Sequence, residues 1–310
     1  MEFKVSILMA TYNAANYLSD AVDSILNQSY SDFECLILDD GSTDNTLEIL
    51  EQYDDPRLKI YTKDRCEGLP KALNYLLAQT ESEFVARQDA DDISLPERIK
   101  QQFEYLRTNQ KVCVLGTRAH TIDKNGKTIG ITPLPTNVSE DLRHRNSVVH
   151  GSVMFRREII VKSGGYDEFF GRGQDYELWQ RISRCHEIAI LPTVLYKFRQ
   201  HLGNTRLSCG EEAALYQLLV RKIARDEISN EILSDIKNNN VTHFQQYLNR
   251  SEKAFCAKAV ANMHMWNGDN WEAIQAYMKV IRYSPLQARE YLNLTLACLG
   301  PRVWKHFHSI

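Results

Sequence analysis

Residues 4–44, KVSILMATYNAANYLSDAVDSILNQSYSDFECLILDDGSTD, decide the fold. They begin with a short apolar run rich in β-forming residues, Lys4–Ala10, which predicts a buried strand. The apolar residues between Tyr17 and Leu26 then follow helical spacing. Phe33–Leu38 predicts a second strand, and the acidic and hydroxyl residues at 39–44 predict a turn into another helix.

The alternation of strand and helix continues over the first two hundred residues. Further strands are predicted at 57–62, 84–88 and 111–115, and helices at 46–53, 69–78 and 96–108. Such alternation is typical of an α/β fold with a mostly parallel sheet flanked by helices.

The regular pattern ends after Gly116. Asn125-Gly126 predicts a hairpin turn between strands at 119–124 and 127–131, and residues 134–147 look irregular. The last α/β elements are predicted as strands at 153–156 and 188–198 and a helix at 175–185. Beyond residue 203 only helices are predicted, at 210–228, 251–266, 270–283 and 285–299. We therefore expect an α/β domain over 1–205 and a helical domain over 206–310.

The composition excludes several classes of protein. The chain has 310 residues, of which 43% are hydrophobic and 25% charged, as in globular proteins. Its 37 basic and 40 acidic residues give a net charge of −3, which argues against a nucleic-acid binder. Seven cysteines without a C-x-x-C pair favour a reducing compartment. With neither a signal peptide nor a membrane-spanning segment recognisable, we expect a cytoplasmic protein.

Three familiar nucleotide-binding motifs are missing from the sequence. The first glycine of the chain is Gly41, so no G-x-G-x-x-G follows the first strand. Gly126-Lys127-Thr128 lacks the earlier glycine of a P-loop, because Thr121 stands there. The glycine-rich, arginine-bearing loop of sugar nucleotidyltransferases is also absent, which disfavours that class of enzyme.

Polar segments follow the first two strands. Ala10-Thr11-Tyr12-Asn13 and the segment 39–44 lie where parallel strands end, and open α/β sheets bind ligands at that edge. An aromatic ring such as that of Tyr12 can stack on a base, and a carboxylate can accept hydrogen bonds from a base or a ribose. The alternative interpretation is a pair of tight turns with a helix cap at Ser42 or Asp44.

The fourth strand ends in an acidic cluster, Gln88-Asp89-Ala90-Asp91-Asp92. Neighbouring carboxylates repel one another unless a cation neutralises them. Hard divalent cations prefer such oxygen ligands, and Mg²⁺ commonly shares its ligands with substrate phosphates. The motif therefore predicts a metal that bridges a diphosphate, and a solvated acidic turn is the alternative.

The motifs together resemble those of family 2 glycosyltransferases. The similarity includes residues 5–13, 24–30, 39–44, 68–74 and 86–98, and it extends in order from residue 4 to about 205. It implies a GT-A fold and an inverting transfer of sugar from a nucleoside diphosphate sugar, with a UDP-sugar favoured. It also implies Mn²⁺ or Mg²⁺ as the cofactor.

The resemblance assigns donor and metal residues by position. Asp91 corresponds to the main metal ligand, with Asp89 and His201 as further ligands. Arg199 would face the diphosphate, and Arg87 either contacts the nucleotide or pairs with the acidic cluster. The full set of implied nucleotide-sugar residues is Ala10, Thr11, Tyr12, Asn13, Asp40, Gly41, Ser42, Lys71, Asn74, Arg87, Asp89, Ala90 and Arg199.

The resemblance also assigns the base and the acceptor side. Asp175 corresponds to the base that takes the proton of the acceptor hydroxyl, with Glu177 as the fallback. Gln174 stands where the family usually has Glu, and a helix cap is the alternative role of Asp175. The implied acceptor-side residues are His150, Gly151, Gly165, Tyr166 and Gln174.

Relatives of this size imply a role in bacterial surface polysaccharide, lipopolysaccharide or capsule synthesis, with a saccharide or lipid-linked saccharide as acceptor. Residues 279–310 carry five basic residues and one acidic residue among several leucines. This pattern permits peripheral contact with the inner face of a membrane, and packing or a homodimer through the C-terminal helices is the alternative. A non-catalytic nucleotide-sugar-binding or scaffold protein is the rival function.

Overall fold

A computed structural model describes residues 4–201, 210–285 and 288–301. The chain forms two compact units, residues 1–200 and 201–310. The boundary predicted near residue 205 falls at 202–209, outside the described residues.

One mixed sheet forms the centre of the first unit. In the described residues its strands are β1 (Val5–Thr11), β2 (Phe33–Asp39), β3 (Leu58–Thr62), β4 (Phe84–Asp89), β5 (Ile93–Ser94), β6 (Val112–Ile122), β7 (Thr128–Ile131), β8 (Met154–Arg156) and β9 (Glu187–Arg199). The order of the strands in the sheet is β3-β2-β1-β4-β8-β6-β9-β5, with β7 beside β6. The predicted α/β class with flanking helices is confirmed.

The first four strands are parallel, and this brings their carboxyl ends together. Thr11 lies opposite Asp39, and Ala10 lies opposite Asp89. The sheet then becomes mixed, because β8 runs antiparallel to β4 and β6. The short 3₁₀ helix His150–Ser152 before β8 consequently lies at the edge where β4 ends.

Helices cover the sheet of this unit with their apolar sides. In α1 the buried side chains Leu18, Ala21, Val22 and Ile25 follow the predicted spacing. The helices are α1 (Leu18–Leu26), α2 (Thr46–Leu50), α3 (Leu69–Ala78), α4 (Arg98–Thr108), α5 (Val138–Leu142), α6 (Arg157–Lys162) and α7 (Gln174–Ser183).

Strand β6 differs from the prediction because the strands predicted at 111–115 and 119–124 form one continuous strand, which passes Gly116 and ends at Ile122. The sequence pattern breaks at Gly116 because the strand there packs closely. A Cβ at residue 116 would lie 3.3 Å from Val148 and 3.5 Å from Ile190. The predicted hairpin is present between β6 and β7.

The second unit is helical in its described residues. Helix α9, which the sequence pattern did not reveal, begins where the Ser229 side chain accepts a hydrogen bond from the N–H of Ile232. The helices are α8 (Gly210–Ala224), α9 (Asn230–Asn239), α10 (Arg250–Asn267), α11 (Asn270–Tyr283) and α12 (Ala288–Cys298). In the part of the chain that the structure describes, no helix has the length and apolar character needed to span a membrane.

Candidate active site

The loops after β1 and β2 are joined by hydrogen bonds. The N–H of Asn13 donates to Ser42 Oγ (2.9 Å), and Asn13 Oδ1 accepts from the N–H of Thr43 (2.8 Å). Gly41 has φ +75°, and a Cβ there would lie 2.6 Å from the backbone of Arg65. Asn13, Gly41 and Ser42 therefore shape this edge, while the ring of Tyr12 is 49% exposed.

The buried carboxylate of Asp40 holds the start of α3. It accepts hydrogen bonds from the N–H groups of Gly68 (2.8 Å) and Glu67 (3.1 Å) and from Cys66 Sγ (3.2 Å). Burial and this contact with Asp40 raise the pKa of the Cys66 thiol. Lys71, in the first turn of α3, is exposed.

The acidic loop, residues 88–92, is held by hydrogen bonds from Arg87, which precedes it, and from its own Gln88. Buried Arg87 donates from Nη2 to Asp89 Oδ1 (2.7 Å), so the pairing alternative for Arg87 is present. Gln88 Nε2 donates to the carbonyls of Asp89 (3.0 Å) and Asp92 (2.9 Å). Burial, with the charges of Asp91 and Asp89, raises the pKa of Asp92 well above its ordinary value. The three carboxylates therefore lie close together, and Ala90 between them is buried.

Arg199 is buried and holds the acidic loop from β9. Its Nε donates to the carbonyl of Asp91 (2.8 Å), and its N–H donates to Asp92 Oδ1 (2.7 Å). Its Nη2 pairs with Asp20 of α1 (3.0 Å), and the guanidinium lies 4.5 Å from the ring centroid of Tyr17. These contacts show Arg199 supporting the loop; its contact with a diphosphate stays a prediction.

The predicted metal ligands are hard oxygen donors together with His201. Asp91 and His201 are partly exposed, and Asp89 keeps its Oδ2 outside the pair with Arg87. Within residues 4–201, 210–285 and 288–301, no group of three His, Cys, Asp or Glu side chains is arranged as a metal site. The carboxylates of the acidic loop fit a cation that also takes oxygens from a diphosphate.

Gly151 packs directly against the acidic loop. A Cβ at this position would lie 2.6 Å from Asp89 Oδ2 and 2.1 Å from the hydroxyl of Tyr196. The fully buried Arg98 donates to the carbonyl of Gly151 (2.7 Å) and to that of Arg87 (2.9 Å). Only a glycine at 151 allows this approach of the acceptor-side segment to Asp89.

His150 and Tyr166 form a hydrogen-bonded pair beside Trp179. His150 Nε2 lies 3.0 Å from the Tyr166 hydroxyl, and its ring centroid lies 6.1 Å from that of Trp179. Burial and the charge of Arg87 lower the pKa of His150, while the carboxylates of Asp175 and Asp89 oppose the shift. The pair therefore lies in the field of both the predicted base and the acidic loop.

Asp175 lies in the first turn of α7, where Asn146 Nδ2 donates to its Oδ2 (2.7 Å). The residue that precedes the helix is Gly173 with φ +73°, so the helix-cap interpretation of Asp175 is wrong. Glu177 is bound at both oxygens by Arg181 (2.9 and 2.8 Å), and Gln174 is buried. Asp175 is thus the carboxylate of this turn that carries no paired cation in the described residues.

A family model described as glycosyl transferase family 2 matches residues 6–163, half of the chain. The chain belongs to glycosyl transferase family 2.

Curated relatives support this membership. The O-antigen biosynthesis glycosyltransferase WbnJ of Escherichia coli is 35% identical over 226 residues, covering 69% of this chain and 87% of WbnJ. The amylovoran biosynthesis glycosyltransferase AmsE of Erwinia amylovora is 32% identical over 201 residues, covering 63% of this chain and 75% of AmsE.

Solved structures share the fold of this family 2 chain. TarS 1–349 of S. aureus, in complex with UDP-GlcNAc, has a TM-score of 0.59 at 18% identity. The match covers 98% of this chain and 91% of the TarS chain. The mannosyltransferase PcManGT of Pyrobaculum calidifontis, in complex with GDP-Man and Mn²⁺, has a TM-score of 0.55 at 18% identity. The match covers 99% of this chain and 87% of the PcManGT chain.

Two residues of this family 2 site, Arg98 and Asn146, were not predicted from the sequence. Arg98 is one turn before Gln102, and both are fully buried on the core-facing side of α4. Two long polar residues at helical spacing on an apolar face were the signal for Arg98. Asn146 lies in the segment that the pattern left irregular, and nothing in the sequence pointed to it.

Proposed function

We propose that this family 2 protein is an inverting glycosyltransferase that moves a sugar from a nucleoside diphosphate sugar to an acceptor hydroxyl. The favoured donor is a UDP-sugar. The observation that carries the proposal is the gathering of two carboxylate sets around one histidine. Asp89 and Asp175 both act on the pKa of His150. A donor-side cation site and an acceptor-side base would therefore both act near His150.

The donor would bind across the ends of β1, β2 and β4. Exposed Tyr12 can stack on the base, and the backbone at Ala10 and Thr11 can approach it. The buried Thr11 hydroxyl has no hydrogen-bond partner among the described residues, so it would be free to bond a ligand. Asp40 already binds the start of α3, so it would contact the base with its remaining acceptor capacity.

Asp91, with Asp89 and His201, would hold the divalent cation. A bound Mn²⁺ or Mg²⁺ supplies charge neutralisation for the leaving diphosphate. Arg199 keeps the Asp91 backbone in place through its carbonyl (2.8 Å), and Arg87 keeps Asp89 oriented (2.7 Å). Their role in turnover is to fix the loop before the diphosphate arrives.

Asp175 would accept the proton of the acceptor hydroxyl as its oxygen attacks the anomeric carbon opposite the diphosphate. A neutral amide, Asn146, orients its carboxylate without a paired cation in the described residues. Glu177 is a weaker candidate for the base because Arg181 binds both of its oxygens. Inversion follows from a single displacement of this kind.

The acceptor is proposed to be a saccharide or lipid-linked saccharide of bacterial surface polysaccharide, lipopolysaccharide or capsule synthesis. The names of WbnJ and AmsE, an O-antigen and an amylovoran enzyme, support this class. Trp271 and Met278 are exposed on α11 beside Lys279 and Arg282, which supports membrane contact or a homodimer through these helices. Flotation of the full chain with anionic vesicles separates the two, because a dimer does not float.

A panel of nucleotide sugars with Mn²⁺ or Mg²⁺ tests the proposal, with hydrolysis and binding measured for wild type and Asp91→Ala. We expect one donor to be hydrolysed slowly, with the metal dependence lost in the variant. Binding without hydrolysis, even after acceptors are added, would favour the rival non-catalytic scaffold. Absence of binding to every donor would contradict the proposal.

A further inference from the structure

The acceptor-side turn, residues 163–166, is held by a hydrogen bond from α7. Gly164 and Gly165 adopt φ +96° and +71°, which only glycine adopts without strain. Arg181 Nη2 donates to the carbonyl of Gly165 (2.8 Å), and Arg181 is itself fixed by Glu177. The helix whose first turn contains the predicted base, Asp175, therefore also anchors this turn.

A second helix holds the same turn through Asn74 of α3. Asn74 Nδ2 donates to the carbonyl of Tyr166 (2.9 Å), and Asn74 Oδ1 accepts from the N–H of Tyr166 (2.9 Å). Nδ2 also contacts Glu168 Oε1 at 3.4 Å. A Cβ at Gly165 would lie 2.7 Å from Asn74 Oδ1, so the glycine makes room for the amide.

These bonds use most of the hydrogen-bonding capacity of the amide. An asparagine side chain offers two N–H donors and one carbonyl acceptor. Asn74 uses its Nδ2 on Tyr166 and Glu168 and its Oδ1 on Tyr166. Its amide therefore has little left to offer a nucleotide. The resemblance placed Asn74 with the donor residues, whereas its contacts lie on the acceptor side.

The main chain that Asn74 fixes carries a buried side chain into the site. The hydroxyl of Tyr166 lies 3.0 Å from His150 Nε2, and His150 precedes Gly151, which packs on Asp89. A shift of the Tyr166 backbone would move its hydroxyl away from His150. Asn74 thus reaches His150 through a single intervening residue, Tyr166.

We infer that Asn74 is a positioning residue of the acceptor side: it fixes the backbone of Tyr166 and thereby keeps the Tyr166–His150 pair in place. The inference rests on the proposed function for its effect on turnover. Its structural part, the dependence of His150 on Asn74, stands apart from any activity.

The experiment compares Asn74→Ala with the control Asn109→Ala in the full chain. Asn109 also makes two side-chain hydrogen bonds, to the Tyr105 carbonyl (2.9 Å) and Thr108 Oγ1 (3.1 Å), at the far end of α4. The first readout is the ¹⁵N–¹H correlation of the His150 imidazole, assigned with His150→Gln. We expect it to shift in Asn74→Ala and to stay unchanged in Asn109→Ala.

The second readout is the binding of UDP with Mn²⁺ and the hydrolysis of the donor found in the panel. We expect Asn74→Ala to bind UDP within twofold of wild type and to hydrolyse the donor at least about tenfold more slowly. Because Asn74 acts through Tyr166, adding Asn74→Ala to Tyr166→Phe should slow hydrolysis less than about threefold further. A merely structural residue would instead multiply the two losses.

Each outcome decides the inference. An unchanged His150 signal in Asn74→Ala overturns it, and so does a loss of UDP affinity of more than tenfold, which would return Asn74 to the donor side. Multiplied losses in the double variant also overturn it. If wild type turns over no donor even after acceptors are added, the proposed function fails, and the His150 signal alone still accepts or rejects the positioning role.

Discussion

Replacement of Gly151 by alanine tests whether close packing joins the two halves of the site. The new Cβ would lie 2.1 Å from the hydroxyl of Tyr196, where ordinary contact begins near 3.4 Å, so the two atoms must separate by about 1.3 Å. It would also lie 2.6 Å from Asp89 Oδ2. Tyr196 is fully buried and cannot turn towards solvent.

Overpacking of this kind typically costs about 1–3 kcal/mol. With two close contacts we expect about 2–3 kcal/mol of lost stability, which lowers the unfolding midpoint by about 4–12 °C for a unit of this size. The displaced Asp89 carboxylate should slow metal-dependent donor hydrolysis by about 100-fold. No backbone strain contributes, because the φ of Gly151 is not positive.

Thermal unfolding by calorimetry and donor hydrolysis measure the two effects. Gly171→Ala is the matched control, because a Cβ there meets nothing within 4 Å and its φ is not positive. Combining Gly151→Ala with Tyr196→Phe should restore part of the stability, since the nearest atom is removed. If Gly151→Ala unfolds and hydrolyses like Gly171→Ala, the packing argument is refuted.

Three further predictions concern the base, the histidine and the buried arginine. Asp175→Asn should reduce transfer by about 10²–10⁴-fold with unchanged donor affinity; retained transfer would remove Asp175 as the base. Because the folded protein lowers the pKa of His150, the unfolded chain binds its proton first, so stability contributed by His150 is lost as pH falls below about 6.5. The unfolding midpoint of His150→Gln should therefore fall less than that of wild type between pH 7.5 and pH 5.5, and parallel curves would contradict this. Arg98→Met should destabilise the first unit by about 2–5 kcal/mol in denaturant titrations, because the carbonyls of Arg87 and Gly151 lose their donor; a smaller effect than for Lys100→Met, an exposed control, would contradict it.

Much of the fold was predictable from local patterns. Helix α3 was predicted at its observed limits, because Gly68 and Pro70 mark its start and an apolar stripe sets its length. Strands β1, β2 and β4 were predicted within one residue at each end, since buried strands of parallel sheets form continuous apolar runs. The short helices α5 and α6 and the joining of two predicted strands into β6 were not predicted, because packing partners distant in sequence determine them.

The site divides in the same way. Residues within single motifs, such as Tyr12, the acidic loop and Asp175, could be chosen from the sequence, since their chemistry is local. The contacts that hold them could not be predicted: Arg199 binds Asp20, Arg98 binds Gly151, and Asn146 binds Asp175. Each of these contacts joins elements separated by tens of residues or more.

By itself the sequence determined the class of fold, the edge of the sheet where the predicted site residues meet and the residue types available there. Periodicity and motif order are local properties, and the carboxyl ends of parallel strands meet at one edge. Only the tertiary structure decided which of these side chains are bound to others and which are left for a ligand. Glu177 is committed to Arg181 and Asn74 to Tyr166, whereas Asp175 meets only a neutral amide in the described residues. Such commitments depend on atoms within about 3 Å of each other, which no sequence spacing encodes.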